Sequence, residues 1–177
     1  GKLSMCLPRS VGQVPIFYNK FRTGRPNEEG TRVGFIHGYI DESIYPLFPF
    51  GYGLSYTSFE LSNFSVTPSQ TDGKSPINVT VTVTNTGKVA GAEVVQVYLG
   101  IPVEGQPPKR LVGFQKVHLA PNESREITIT IDPMTTNHPM GVWDYYKHDF
   151  VVKPGEYTVY LGTSSEDTPY KATVIVE

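Results

Sequence analysis

The sequence holds a single cysteine, Cys6, so no internal disulfide can staple the chain, and cysteine usage leaves its compartment open. No apolar run approaches the ~20 residues of a membrane-spanning helix. Charge is scarce: 18% of residues are charged, below the usual quarter, and the net charge is only −2. With no basic stripe and no acidic run, neither nucleic acid nor a membrane surface is expected as a partner. Amphipathic helical periods of useful length, tandem repeats and low-complexity tracts are all lacking. The four histidines, at 37, 118, 138 and 148, show no paired metal-ligand spacing, and Cys6 is remote from them. No metal and no cofactor is therefore expected. There is no Gly-x-Ser-x-Gly elbow and no nucleophile-like flank around Cys6, which reads as a small strand residue. Gly51-Tyr52-Gly53 has two glycines of a dinucleotide fingerprint but no helix to follow, which argues against a phosphate cradle.

What is present is strand periodicity. Phe59, Leu61, Phe64 and Val66 suggest a first strand, with a phase slip near Asn63 that marks a bulge. Ile77, Val79, Val81 and Val83 alternate with Asn78, Thr80, Thr82 and Thr84, the pattern of a half-buried strand. Asn85-Thr86-Gly87-Lys88 turns the chain into a strand from Glu93 to Leu99. Arg110 to Leu119 follows, interrupted by Gly113. Ile127, Ile129 and Ile131 alternate after the turn at 121–124. Pro154-Gly155 leads into Tyr157, Val159 and Leu161, and Ala172 to Val176 ends the chain. Pro68 to Pro76 reads as a loop. About seven short strands with turns between them indicate an antiparallel β-sandwich. Its expected core includes Val79, Val81, Val95, Val97, Ile127, Ile129, Tyr157 and Val159.

The first 57 residues read differently. Leu3, Met5 and Leu7 alternate with Lys2, Ser4 and Cys6 and suggest one short strand ended by Pro8. Residues 8 to 45 show no sustained period, with turns at 23–26 and 27–30. So long an excursion is improbable in a self-sufficient domain. The run from Pro46 to Thr57 is dense in aromatics and glycines. Its prolines at 46 and 49 withhold N–H donors, so neither a helix nor a central strand is expected there. It reads as a packed hinge. No leader is visible, and because the chain opens at Gly1 inside an apparent strand, the natural N-terminus is expected far upstream.

Several segments carry a family resemblance in order and spacing. They are Gly1-Lys2-Leu3, Pro8-Arg9-Ser10-Val11-Gly12-Gln13-Val14-Pro15, Thr23-Gly24-Arg25-Pro26 and the hinge run 46–57. Downstream they continue as Val81-Thr82-Val83-Thr84-Asn85-Thr86-Gly87-Lys88-Val89-Ala90-Gly91, Glu93 to Leu99, and Leu111 to Val117. Together they resemble the C-terminal part of the family-three glycoside hydrolases, of the β-glucosidase and β-xylosidase type. The resemblance covers essentially the whole chain and is weakest over roughly 132 to 150.

The resemblance implies a mostly β fold: a fibronectin-III-like sandwich at 58–177, a hinge at 51–57, and the tail of an incomplete α/β sandwich domain at 1–50. It implies a retaining exo-β-glycosidase as the parent, removing terminal β-linked sugars, most often glucose. The partners implied are the upstream catalytic domains of the same polypeptide and a β-glucoside or oligosaccharide substrate. A secreted or periplasmic setting is implied for that parent. The alternative is a free-standing, non-catalytic β-sandwich that binds carbohydrate or protein.

Glycoside hydrolysis generally needs two facing carboxyl groups. The candidates are Asp41, Glu42, Glu93, Asp144 and Asp149, and their contexts argue against a catalytic pair. Glu93 is expected as a solvated edge charge, Asp144 as a turn-stabilising residue, and Asp41 and Glu42 as partners of the loop backbone, with a place at a substrate rim of the full enzyme as the other role. No catalytic, substrate-binding or metal residue is therefore assigned to this chain, and the isolated chain is expected to be inactive. Trp143, Tyr145, Tyr146 and Phe150 form an aromatic cluster, expected as core and edge packing around a strand bend, with sugar stacking as the other role. Asn63, Asn78 and Asn122 head N-glycosylation sequons.

Overall fold

A computed structural model describes residues 1–20 and 42–177. Among the described residues ten strands follow one another: β1 (Phe59–Thr67), β2 (Gln70–Thr71), β3 (Ile77–Asn85), β4 (Gly91–Gly100), β5 (Arg110–Leu119), β6 (Ser124–Ile131), β7 (Val142–Asp144), β8 (Asp149–Val151), β9 (Gly155–Gly162) and β10 (Tyr170–Val176). They form a three-stranded sheet in the order β1-β3-β6 and a five-stranded sheet in the order β2-β10-β9-β4-β5, with β7-β8 as a separate hairpin. All pairings are antiparallel except β2 with β10. The two sheets pack as the mostly antiparallel β-sandwich expected, within residues 59–176.

The core follows from alternation, because successive side chains of a strand point to opposite faces. Ile77, Val79, Val81 and Val83 of β3 and Ile127, Ile129 and Ile131 of β6 meet Val95, Val97 and Leu99 of β4, Tyr157, Val159 and Leu161 of β9, and Val174 and Val176 of β10. All eight expected core residues are buried. The other face of β3 and β6 carries hydroxyls: Thr80 bonds Thr128, and Thr84 bonds Ser124. That face is stable in water without a cover. The bulge expected near Asn63 is present as a register shift between Ser62 and Ser65, with Asn63 at φ 53°. The turn after β3 is organised by fully buried Asn85. Its Oδ1 accepts from Thr57 Oγ1 and Gly87 N, and its Nδ2 donates to Val89 O and Leu119 O. Such complete pairing is what a buried amide needs.

Three expectations are corrected. The segment from Leu3 to Leu7 is not a strand. Leu7 makes one isolated bridge with Phe48, and the apolar alternation is inverted, with Cys6 buried while Met5 and Leu7 are exposed. Its backbone groups pair instead with the hinge: Leu3 N donates to Tyr52 O (2.8 Å), Gly51 N to Leu3 O (2.8 Å), Leu7 N to Phe48 O (2.9 Å) and Leu47 N to Leu7 O (2.9 Å). The prolines at 46 and 49 keep this ladder irregular. Cys6 is thus buried in a loop, and burial pushes its thiol pKa up. The loop from Pro68 to Pro76 contains β2, and β7 and β8 are further short strands that no period announced. Pairs of two or three residues are too short for periodicity to reveal. The turns expected at 23–26 and 27–30 lie outside the described residues.

Candidate functional site

The outer face of the five-stranded sheet is the first place where function is built. β4 lies in the sheet interior, between β9 and β5. Its inward residues are Val95, Val97 and Leu99, yet the outward Gln96 and Tyr98 are buried as well. What covers them is the N-terminal segment with the hinge. Gln96 Nε2 donates to Gly51 O (3.1 Å) and Thr163 O (2.6 Å), while its Oε1 accepts from Tyr98 Oη (2.6 Å). Tyr18 stacks on Phe50 (4.3 Å between centroids), meets Tyr98 edge-on (5.8 Å), and accepts from Leu111 N (3.0 Å). Burial pushes the Tyr98 hydroxyl pKa well up, so it stays a neutral donor. Gln13 ties the segment to the chain before the hinge: its Nε2 donates to Ser43 O and Tyr45 O, and its Oε1 accepts from Arg9 N.

Glu93 is a further correction. It is 8% exposed rather than solvated, and Lys2 Nζ lies 2.8 Å from its Oε1. An interior strand under a cover has no free edge on which to place a charge. Beside this contact lies a groove of about 600 Å³ whose walls include Leu3, Phe50, Leu54, Ala92, Leu111 and Phe114. Leu54 and Phe114 are largely exposed within it.

The other candidate carboxylates have structural partners. Glu42 Oε1 accepts from Ser43 N and lies 3.9 Å from Arg9 Nε. Asp149 caps Phe150 N (2.7 Å). Asp144 Oδ1 accepts from Tyr146 N (3.1 Å) and Lys147 N (3.2 Å), and its Oδ2 pairs with Lys153 Nζ (2.8 Å). This is the turn-stabilising role expected of it. The Lys153 contact, followed by the Lys147 amide, holds the Asp144 carboxyl below its ordinary pKa. A general acid needs the opposite shift. Asp41 and His37 lie outside the described residues. His138 stacks on Phe150, His148 lies near Tyr145, and His118 is exposed on β5. Among the described residues no group of three or more His, Cys, Asp or Glu is placed to hold a metal, and no helix is long and apolar enough to cross a membrane.

The aromatic cluster is the last correction. Trp143 is 55% exposed, Tyr145 73%, Tyr146 93% and Phe150 42%, so these rings are not core. Trp143 pairs with Phe150 across the β7-β8 hairpin, while Val142 pairs with Val151 on the inward side. Alternation therefore turns both rings outward. No sequence signal distinguishes this from packing, because the same alternation serves either face.

The Asp144–Lys153 pair braces the hairpin, and its pH dependence has a definite sign. A carboxylate whose folded pKa is depressed stabilises above its unfolded pKa and loses that contribution as pH falls through the folded value. Trp143 emission, from the one tryptophan of the chain, is expected to show a step in the acid range below about 4. The Asp144→Asn variant is expected to lack that low-pH step. A step of equal size in the variant would assign it to another group.

Residues 93–165 match the fibronectin type III-like domain family. The chain is 39% identical over 170 residues to a periplasmic β-glucosidase of Salmonella typhimurium, covering 93% of this chain and 21% of that protein. It is 40% identical over 176 residues to a putative β-xylosidase of Formosa agariphila, covering 98% of this chain and 21% of that protein. The structure superposes on a β-glucosidase from Listeria innocua in complex with glucose with a TM-score of 0.88 and 36% identity, covering 99% of this chain and 24% of the other. The chain thus spans about a fifth to a quarter of the length of these relatives.

Proposed function

Because the chain belongs with the family-three glycoside hydrolases and matches their C-terminal part, we propose that it is the structural portion of a retaining exo-β-glycosidase. The longer protein would hydrolyse terminal β-linked glucosyl residues. Residues 1–50 are the tail of its α/β sandwich domain, 51–57 the hinge, and 58–177 the fibronectin-III-like module. The catalytic carboxylates lie in the upstream domains, and this portion caps and orients those domains.

The observation that carries this reading is the way residues 1–20 and 42–57 lie on the sheet. Gln96, Tyr98, Tyr18 and the Lys2–Glu93 pair fix the segment to the outer face of β4 and β5. A segment held this firmly transmits orientation from one domain to the next. The adjoining groove, with Leu54 and Phe114 exposed in its walls, supplies apolar surface for contact with the upstream domains.

The test compares two proteins. The purified 177-residue chain is expected to give no turnover of aryl β-glucosides or cellobiose, whereas the longer protein that contains it is expected to hydrolyse both. Turnover by the short chain that Glu42→Gln abolishes would place chemistry in this portion and overturn the assignment.

A further inference from the structure

We propose that the outward face of the β7-β8 hairpin is a secondary binding site for β-linked oligosaccharides, with Trp143, Tyr145 and Tyr146 as its stacking rings.

The hairpin is amphipathic in the ordinary sense on one side only. Val142 and Val151 face inward as a cross-strand pair, and Met140 just before β7 is fully buried. The opposite face of such a hairpin is normally polar. Here it bears Trp143 and Phe150, opposite one another, and the connecting turn adds Tyr145 and Tyr146.

These rings do not hide against one another. Phe150 is covered by His138 at 4.3 Å and meets Trp143 edge to face at 5.3 Å. It serves as a buttress, which leaves Trp143 more than half exposed. Tyr145 and Tyr146 touch only edge to face, at 5.9 Å. The scaffold beneath is rigid: Asp144 bonds two turn amides and the Lys153 ammonium, and Arg110 Nη1 donates to Gly141 O. Fixed aromatic platforms lose little entropy on binding.

The chemistry of the surface selects a neutral polyol. Asp144 is paired with Lys153, and Lys147 and Asp149 of the same turn carry opposite signs, so the formal charge of the hairpin cancels and no net ion dominates the rings and phenolic hydroxyls. A pyranose ring presents an apolar face to stack and hydroxyls to bond, which suits side chains with an apolar body and a polar tip. A protein partner fits less well. Scaling ring areas of ~150–250 Å² by their exposure gives on the order of 500 Å² of platform, below the ~800 Å² per partner of a stable interface. It does match the size of functional surface patches. The β-linkage and the glucose or xylose class rest on the glycosidase reading above.

Trp143 is the one tryptophan of the chain, so its fluorescence reports this site alone. Titration of the 177-residue chain with cello-, laminari- and xylo-oligosaccharides is expected to give a saturable change with at least one of them by about 10 mM. Tyr146→Ala is expected to weaken that binding by about threefold or more, the loss of one stacking partner. Its 93% exposure keeps the variant folded. No change with any sugar up to that concentration would overturn the site, as would unaltered affinity in Tyr146→Ala. A change that tracks protein concentration without sugar would assign the face to a second copy of the chain, and would also overturn it. Failure here is separable from failure of the glycosidase reading. A longer protein that cleaves β-glucosides while Trp143 stays silent removes only the site. Sugar binding at Trp143 with no hydrolysis by the longer protein removes only the reading.

Discussion

Replacing Gln96 by leucine is expected to destabilise the chain by about 3 kcal/mol, because buried polar groups deprived of a partner each cost ~1–3 kcal/mol. The substitution leaves the carbonyls of Gly51 and Thr163 without their donor and the Tyr98 hydroxyl without its acceptor. Leucine fills similar space but offers no bond. The loss falls where the covering segment meets β4, so the expected signature is local as well as global. The urea midpoint drops, and the amides of Leu3, Leu7 and Gly51 exchange faster, since these bond the segment that Gln96 holds. Gly51→Ala is expected to act in the same direction. A Cβ at Gly51 would overlap Gln96 Oε1, and the residue sits at φ +79°, where side chains are strained. An unchanged midpoint together with unchanged exchange at Leu3 and Leu7 would mean that the segment is held by something other than Gln96.

Leu161→Ala tests the other half of the molecule. Leu161 is fully buried in β9, paired with Val97 of β4 and Tyr170 of β10. Buried Leu-to-Ala changes cost ~2–5 kcal/mol, the transfer loss plus the cavity left behind. Strands hydrogen-bonded on both sides collapse poorly around a void, so about 3–4 kcal/mol is expected here. Leu161→Met keeps the volume and is expected to cost under ~1.5 kcal/mol. The denaturant slope is expected to stay constant in both variants, which marks a stability change rather than a change of state. A loss below about 1 kcal/mol for Leu161→Ala would mean that the two sheets do not pack as a single core. Leu161→Ala is expected to leave exchange at Leu3 and Leu7 nearer the native pattern than Gln96→Leu does. The covering segment bonds the outer face, and Leu161 points inward.

Function divides between the two faces in the same way. The three-stranded sheet closes its outer face with Thr80, Thr128, Thr84 and Ser124 and needs no partner. The five-stranded sheet buries Gln96 and Tyr98 under the segment of residues 1–20 and 42–57, with Thr163 and Lys109 completing the cover. The interdomain role proposed above would fall to the second face, and the aromatic hairpin stands apart from both.

By itself, the sequence determined what rests on local period and local turn chemistry. Ile77 to Val83, Val95 and Val97, Ile127 to Ile131, and Tyr157 to Leu161 alternate strictly, and each lies in the core. Asn85-Thr86-Gly87-Lys88 turns where its residue types require, and the phase slip at Asn63 is a real bulge. The matching segments also pointed to the family, because their order and spacing survive without any contact being known. Tertiary structure alone decided which second faces are covered. Alternation assigns side chains to two faces but not the environment of each. Glu93 is buried because Lys2, far away in sequence, reaches it. Gln96 and Tyr98 are buried because Tyr18 and Phe50 arrive from the covering segment. The same ambiguity ran the other way at Trp143 and Phe150, whose alternation fitted a core and whose rings face water. Burial depends on what arrives from elsewhere in the chain, and no window of neighbouring residues contains that information.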